Sequence, residues 1–147
     1  MAGLKRILVP TDFTDTSNRA LEWALDLAGR LGASVTLMHA YEIPVIGFPD
    51  GAIMATPEIA SRIAEASRSA LDAAVEKHRG GSVALDGLIR EGVAWETINA
   101  VSDEIDADVI VIGTHGRRGL ARALLGSVAE NVVRTAHRPV VTIRGEH

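Results

Sequence analysis

The chain has 147 residues, a formal net charge of −4, no cysteine and 47% hydrophobic residues, with only two Trp, two Phe and one Tyr. This length suits one domain, 1–147, around an aliphatic core. The acidic balance and scarce aromatics argue against a nucleic-acid partner, and the missing cysteines exclude disulfides, thiolate metal sites and thiol catalysis. Lys5 and Arg6 lead only into Ile7-Leu8-Val9, far short of a signal peptide or a membrane span, so a cytoplasmic setting with no membrane partner is expected.

The first apolar run, "RILVP", predicts a strand from about Lys5 to Val9, buried on both faces and stopped by Pro10. In "TDFTDTSNRALEWALDLAGRLG" the residues Ala20, Ala24, Leu27, Ala28 and Leu31 recur at helical spacing. Asp15 to Ser17 offer N-caps, and Gly32 is a natural C-terminal stop. "ASVTLMHAY" predicts a second strand, at a distance that fits a parallel βαβ crossover. Prolines and glycines in 43–57 predict a surface loop, and Pro57 to Arg79 a helix with Ile59, Ile63, Ala66, Ala70, Ala74 and Val75 on one side.

"SVALDGLIREG" then reads as a third strand, and "AWETINAVSDEI" as a helix with Trp95, Ile98, Val101 and Ile105 inward. "ADVIVIG" is a fourth strand, "SVAENVVRTA" a helix and "RPVVTIR" a last strand. Strands alternating with helices in this order predict an α/β fold: an open, mostly parallel sheet with helices on both faces.

In such sheets ligands sit beyond the carboxyl ends of the strands. Two loops there are rich in polar or flexible residues, "PTDFTDTS" after the first strand and "GTHGRRGLARALLGS" after the fourth. Gly113, Gly116, Gly119 and Gly126 permit positive φ and a close ligand approach, and a helix start at Ser127 favours an anion. Ser127 can cap that helix and bond a phosphate oxygen, while Arg117, Arg118 or Arg122 are placed to add charge. No Lys precedes Ser127 as in a Walker A loop, and neither G-x-G-x-x-G nor G-x-S-x-G is present. On spacing alone, ordinary turn chemistry explains the glycines as well as a phosphate cradle does.

Gly113-x2-Gly116-x9-Gly126-Ser127 resembles the G-x2-G-x9-G-(S/T) signature of the nucleotide-binding branch of the universal stress protein family. "ILVPTDFT" and "LMHAY" resemble that family's first strand with its adenine-side loop and the end of its second strand, so the resemblance spans essentially the whole chain. It implies a Rossmann-like, five-stranded parallel sheet in the order 3-2-1-4-5, akin to the adenine nucleotide alpha hydrolases, and a homodimer joined through the C-terminal strands. It also implies an adenine nucleotide, ATP, as ligand, with Mg2+ or Mn2+ as the accompanying ion. Carried over by position, Pro10, Thr11 and Asp12 border the adenosine, with the Asp12 carboxylate toward the ribose or the metal. Ala40, where the family often has Val, meets adenine through its backbone. Gly113 and Gly116 approach ribose and phosphates, Gly126, Ser127 and Val128 hold them, and Arg117 is assigned by charge alone.

Each polar residue also has an ordinary structural explanation. Asp12 equally caps a turn, His115 suits a solvated loop, and His39 reads as a satisfied buried imidazole. Asp103, Glu104, Asp106 and Asp108 read as a solvated rim at the opposite edge of the sheet. The leading function is an ATP-binding stress-response factor or nucleotide-dependent switch with little or no turnover, since no general base or cradle lysine is identifiable. The alternatives are a nucleotide-hydrolysing or nucleotidyl-transfer enzyme, disfavoured by Pro10-Thr11-Asp12 where a histidine pair is expected, and a module that binds AMP or a cyclic nucleotide.

Overall fold

The computed structural model of the chain describes residues 3–44, 56–114 and 125–145. Strands and helices alternate through them as β1 (Arg6–Pro10), α1 (Asp15–Leu31), β2 (Ser34–Tyr41), α2 (Pro57–Lys77), β3 (Leu85–Glu91), α3 (Ala94–Glu104), β4 (Val109–Gly113), α4 (Ser127–Thr135) and β5 (Val140–Ile143). All four pairings are parallel, and the sheet runs β3-β2-β1-β4-β5, the order expected.

Alternation along each strand sorts the core into two layers. Ile7, Val9, Val35, Leu37, Val109 and Val111 pack with Ala20, Leu21, Ala24 and Ala28 of α1 and with Leu71 and Val75 of α2. Leu8, Met38, Ile110 and Ile112 face the other way, onto Ile98 and Val101 of α3 and Ala129 and Val132 of α4. The strands read as unbroken apolar runs because helices cover both faces.

Helix ends follow local chemistry, with two corrections. The cap of α1 is Thr14, in extended backbone, whose side chain accepts from Ser17 N–H at 3.3 Å; Asp15 to Ser17 fall inside the first turn. Gly32 closes the helix at φ 70° as expected, but Leu31 just before it is 49% exposed. The inward stripe of α2 is Ser67, Leu71 and Val75, whereas Ile59 and Ala66 are exposed. Gly87 of β3 sets that rotation, because a Cβ there would meet Val75 Cγ2 at 3.0 Å and Leu71 Cδ2 at 3.2 Å. The helix beds into the space the missing side chain leaves. Most of the 43–57 loop, residues 45–55, lies outside the described residues.

The acidic rim at the amino edge is bonded rather than merely solvated. Asp108 Oδ2 accepts the backbone N–H of Lys5 at 2.8 Å and of Arg6 at 2.9 Å, tying the start of β1 to that of β4. Arg138 reaches Asp106 at 3.0 Å, Asp103 at 3.4 Å and the Ala107 carbonyl at 3.1 Å. Glu104 pairs with Arg90 at 3.2 Å.

The Lys5 and Arg6 amides hold the Asp108 carboxyl below its ordinary value of 3.8. A depressed folded-state pKa gives stability that is complete above the unfolded pKa and is lost as pH falls through the folded one. Asp108→Ala is therefore expected to cost about 1 kcal/mol in urea unfolding at pH 7, after discounting for solvent screening. The gap to wild type should narrow once the pH drops below ~4; a gap independent of pH would remove the carboxylate charge as its cause.

Candidate functional site

Strand order reverses at β1, which has β2 on one side and β4 on the other. Such a switch point splays the connections apart and leaves a crevice at the carboxyl ends. A cavity of about 350 Å3 occupies it, at the lower end of small-molecule sites. Its wall comes from Pro10, Thr11 and Asp12 after β1, Met38 to Ala40 of β2, Ala94 and Ile98 of α3, Ile112 to Thr114 at the end of β4, and Gly126 to Ala129 opening α4. Eight of the ten site residues expected from the sequence therefore meet around one space: Pro10, Thr11, Asp12, Ala40, Gly113, Gly126, Ser127 and Val128. Gly116 and Arg117 lie outside the described residues, as do His115, Arg118, Gly119 and Arg122.

The loop after β1 is held from several sides. Thr11 N–H donates to Met38 O at 2.8 Å, and Thr11 Oγ1 accepts from Phe13 N–H at 2.9 Å. Phe13 sits at φ 66°, an uncommon conformation for a bulky residue, which the surrounding bonds enforce. Its ring lies 4.5 Å from that of His39. His39 Nδ1 is 2.8 Å from Thr11 O, so that nitrogen must carry the proton and donate. The imidazole was expected to be buried and satisfied; it is bonded through Nδ1 alone among the described residues and is only half-buried. Its bracing of the Thr11 loop was not readable from the sequence, because the two residues are far apart in the chain.

Asp12 Oδ1 accepts from Thr14 N–H at 3.1 Å, Thr14 Oγ1 at 2.5 Å and Ser17 Oγ at 2.6 Å. This is the turn role: one carboxylate oxygen organises the start of α1. The side chain is exposed, and Oδ2 has no hydrogen bond among the described residues. Asp12 is also the one acidic residue lining the cavity, and no group of three or more His, Cys, Asp or Glu gathers as a metal site among the described residues.

The glycines act differently from the expectation. Neither Gly113 nor Gly126 has a positive φ; among the described glycines only Gly32, Gly80 and Gly92 do. A Cβ on Gly113 would lie 2.8 Å from Thr16 Cγ2 and 3.1 Å from Thr16 O, so its bareness lets β4 end against the first turn of α1. Gly126 is the cap of α4, at φ −71° and ψ 167°, with no side-chain capping bond. Ser127 is thus the first helical residue and not the cap. Its neighbour's N–H instead donates to the Thr114 carbonyl. The first bond of the helix, Glu130 N–H to Gly126 O at 2.9 Å, leaves the earlier amides of Ser127, Val128 and Ala129 without helical partners. Those amides and the helix dipole give the cavity wall a partial positive charge.

The sequence profile of the Universal stress protein family matches residues 3–144. The chain belongs to the universal stress protein family. A universal stress protein of Methanocaldococcus jannaschii is 33% identical to it over 95% of this chain and 82% of that protein. The structure of a universal stress protein from Lactobacillus plantarum shares its fold at a TM-score of 0.79 and 24% identity, covering 98% of this chain and 100% of that one. One from Archaeoglobus fulgidus, solved in complex with dAMP, gives 0.60 at 25% identity over 97% and 99% of the two chains. Among the described residues no helix is long and apolar enough to cross a membrane.

In this universal stress protein Gly113→Ala is expected to cost about 1–3 kcal/mol, because the added methyl meets the Thr16 backbone carbonyl as well as its side chain. Chemical denaturation of the variant checks this. Unchanged stability would mean that the helix yields freely there and that packing is not what requires the glycine.

Proposed function

We propose that this universal stress protein binds an adenine nucleotide, ATP, in the cavity at the carboxyl edge and acts as a nucleotide-dependent switch in a stress response. The supporting observation is the α4 amino terminus, which has no side-chain cap and opens onto a cavity whose other walls are the Thr11–Asp12 loop and Ala40. In this reading the phosphates lie against the amides of Ser127 and Val128, and adenine lies along the backbone of Ala40. The ribose lies near Pro10, Thr11 and Gly113, while Gly116 and Arg117 enter on the motif and on charge alone. Asp12 Oδ2, which has no hydrogen bond among the described residues, would hold Mg2+ or Mn2+, and a single carboxylate suits magnesium, which takes one or two carboxylates and keeps several waters. The ion supplies charge neutralisation at the phosphates. The chain itself binds and orients.

Turnover is little or none in this reading. Asp12 and His39 are the titratable residues that line the cavity among the described residues, and each is engaged in holding the loop after β1. Asp12 Oδ2 is committed to the metal in this reading, and His39 Nε2, which has no bond among the described residues, lacks a carboxylate on Nδ1 to strengthen it as a base, because Nδ1 meets a backbone carbonyl. A nucleoside monophosphate is the second reading, favoured by the Archaeoglobus fulgidus relative solved with dAMP. A chain without cysteine is consistent with a reducing, cytoplasmic setting.

Gly126→Asp separates binding from folding. The extended backbone at residue 126 is what a capping Asp prefers, so the variant should fold at least as well as wild type. Its carboxylate should repel phosphate, and calorimetry is expected to show no ATP or AMP binding. Retained affinity would sink the phosphate assignment.

The same proposal includes a homodimer through β5, an edge strand of Val, Val, Thr and Ile. The carbonyls of Pro139 and Ile143 accept from Ile110 and Thr114 N–H, so the alternate residues Val140 and Thr142 turn their backbone groups to the open edge. Val141 and Ile143 already pack in the α1 layer, which makes them poor probes of a dimer. Thr142→Pro removes one outward N–H and leaves the β4 ladder intact. Sedimentation should then report monomers, and a persisting dimer would place the interface elsewhere.

A further inference from the structure

Three buried side-chain polar atoms have no hydrogen-bond partner among the described residues: Asn99 Oδ1, Thr114 Oγ1 and Arg138 Nε. Thr114 alone among these residues lines the cavity. It is 2% exposed, and its backbone is fully used, with N–H donating to Ile143 O at 2.9 Å and the carbonyl accepting from Gly126 N–H. A hydroxyl left unpaired out of water is costly, and nearly all buried polar groups avoid it.

Position in the ladder places the Thr114 side chain on one face of the sheet. Val109 and Val111 pack in the α1 layer, whereas Ile110 and Ile112 pack in the α3 and α4 layer. Thr114 extends the β4 ladder by one residue pair and falls in the Ile110–Ile112 row, the side on which the cavity and the start of α4 lie. The other two members of that row are aliphatic, and a valine would fill the same volume. Packing alone therefore does not account for the hydroxyl.

We infer that Thr114 Oγ1 donates a hydrogen bond to the phosphate seated at the amino terminus of α4, making Thr114 the residue by which the site prefers phosphorylated over unphosphorylated nucleosides. This rests on the nucleotide reading above and adds a side-chain donor to the backbone amides. A donor buried at the strand end cannot rotate into bulk water, so its bond to an anionic oxygen is worth more than an exposed one.

The test is calorimetry of wild type, Thr114→Val and Thr114→Ser with AMP, adenosine and inorganic phosphate, alongside thermal melts without ligand. Thr114→Val is expected to weaken AMP about tenfold, the loss of one charge-assisted hydrogen bond, with adenosine unchanged. Thr114→Ser should stay within about twofold of wild type for AMP. The unliganded valine variant should melt no lower than wild type, because it removes an unpaired hydroxyl. Equal AMP affinity in wild type and Thr114→Val would overturn the inference. Phosphate binding that is present in wild type and lost in Thr114→Val would uphold the contact even if no nucleoside bound, in which case only the nucleotide reading fails. Absence of both phosphate and AMP binding in wild type would overturn both.

Discussion

Burial of β1 on both faces is the constraint on which the rest of the molecule depends. Ile7, Leu8 and Val9 are each at most 1% exposed, so helices must cover both sides of the sheet and a strand must flank β1 on either edge. Parallel strands with helical crossovers satisfy this, and they bring every strand's carboxyl end to one edge. The chain leaves β1 toward β2, comes back beyond β1 to β4, and the loops following β1 and β4 part around the crevice between them. A cavity there follows from covering one apolar strand.

The crevice keeps its shape because the loop after β1 is bonded on both sides. Asp12 gathers Thr14 and Ser17 into the start of α1, and His39 and Phe13 hold Thr11 from the side of β2. Thr16 in the next half-turn is wedged between two glycine backbones, since a Cβ on Gly113 would lie 2.8 Å from its Cγ2 and one on Gly145 2.7 Å from its Oγ1. The ends of β4 and β5 are thereby set against α1. An aliphatic core contributes area, but these polar and steric contacts decide where the rim of the site stands.

Element type was legible in the sequence because it depends on local signals: uninterrupted apolar runs for doubly covered strands, helical spacing in α1 and α3, and a left-handed stop at Gly32; the strand order came from the family resemblance, since no local signal encodes which strands are neighbours. The rotation of α2 was not, since Gly87 on another strand sets it and the alanine-rich helix offers several nearly equivalent faces. That eight of the ten named residues line one cavity follows the family signature and the loop after β1, yet the local roles of these residues could not be read from either. Gly113 makes room for Thr16, Gly126 takes an ordinary extended conformation, and Ser127 begins its helix without capping it. Thr114 went unnoticed between two more conspicuous residues, because being unpaired is a property of tertiary structure that no spacing encodes.

The two edges of the sheet use most of their polar groups differently. At the amino edge Asp108 satisfies two strand-opening amides, and Arg138 joins Asp103, Asp106 and a carbonyl, with its Nε left unpaired among the described residues. At the carboxyl edge the first amides of α4 have no capping side chain, and the Thr114 hydroxyl is buried without a partner. Sequences that specify a fold normally satisfy such groups, and departures concentrate where function requires them. A serine or aspartate at position 126 has the extended backbone it needs to cap α4, and a valine at 114 would have removed the orphan hydroxyl. On the nucleotide reading proposed above, the absence of a cap at 126 and the unpaired hydroxyl at 114 leave donors at one cavity wall for an anionic ligand, because every donor satisfied internally is one the ligand cannot use.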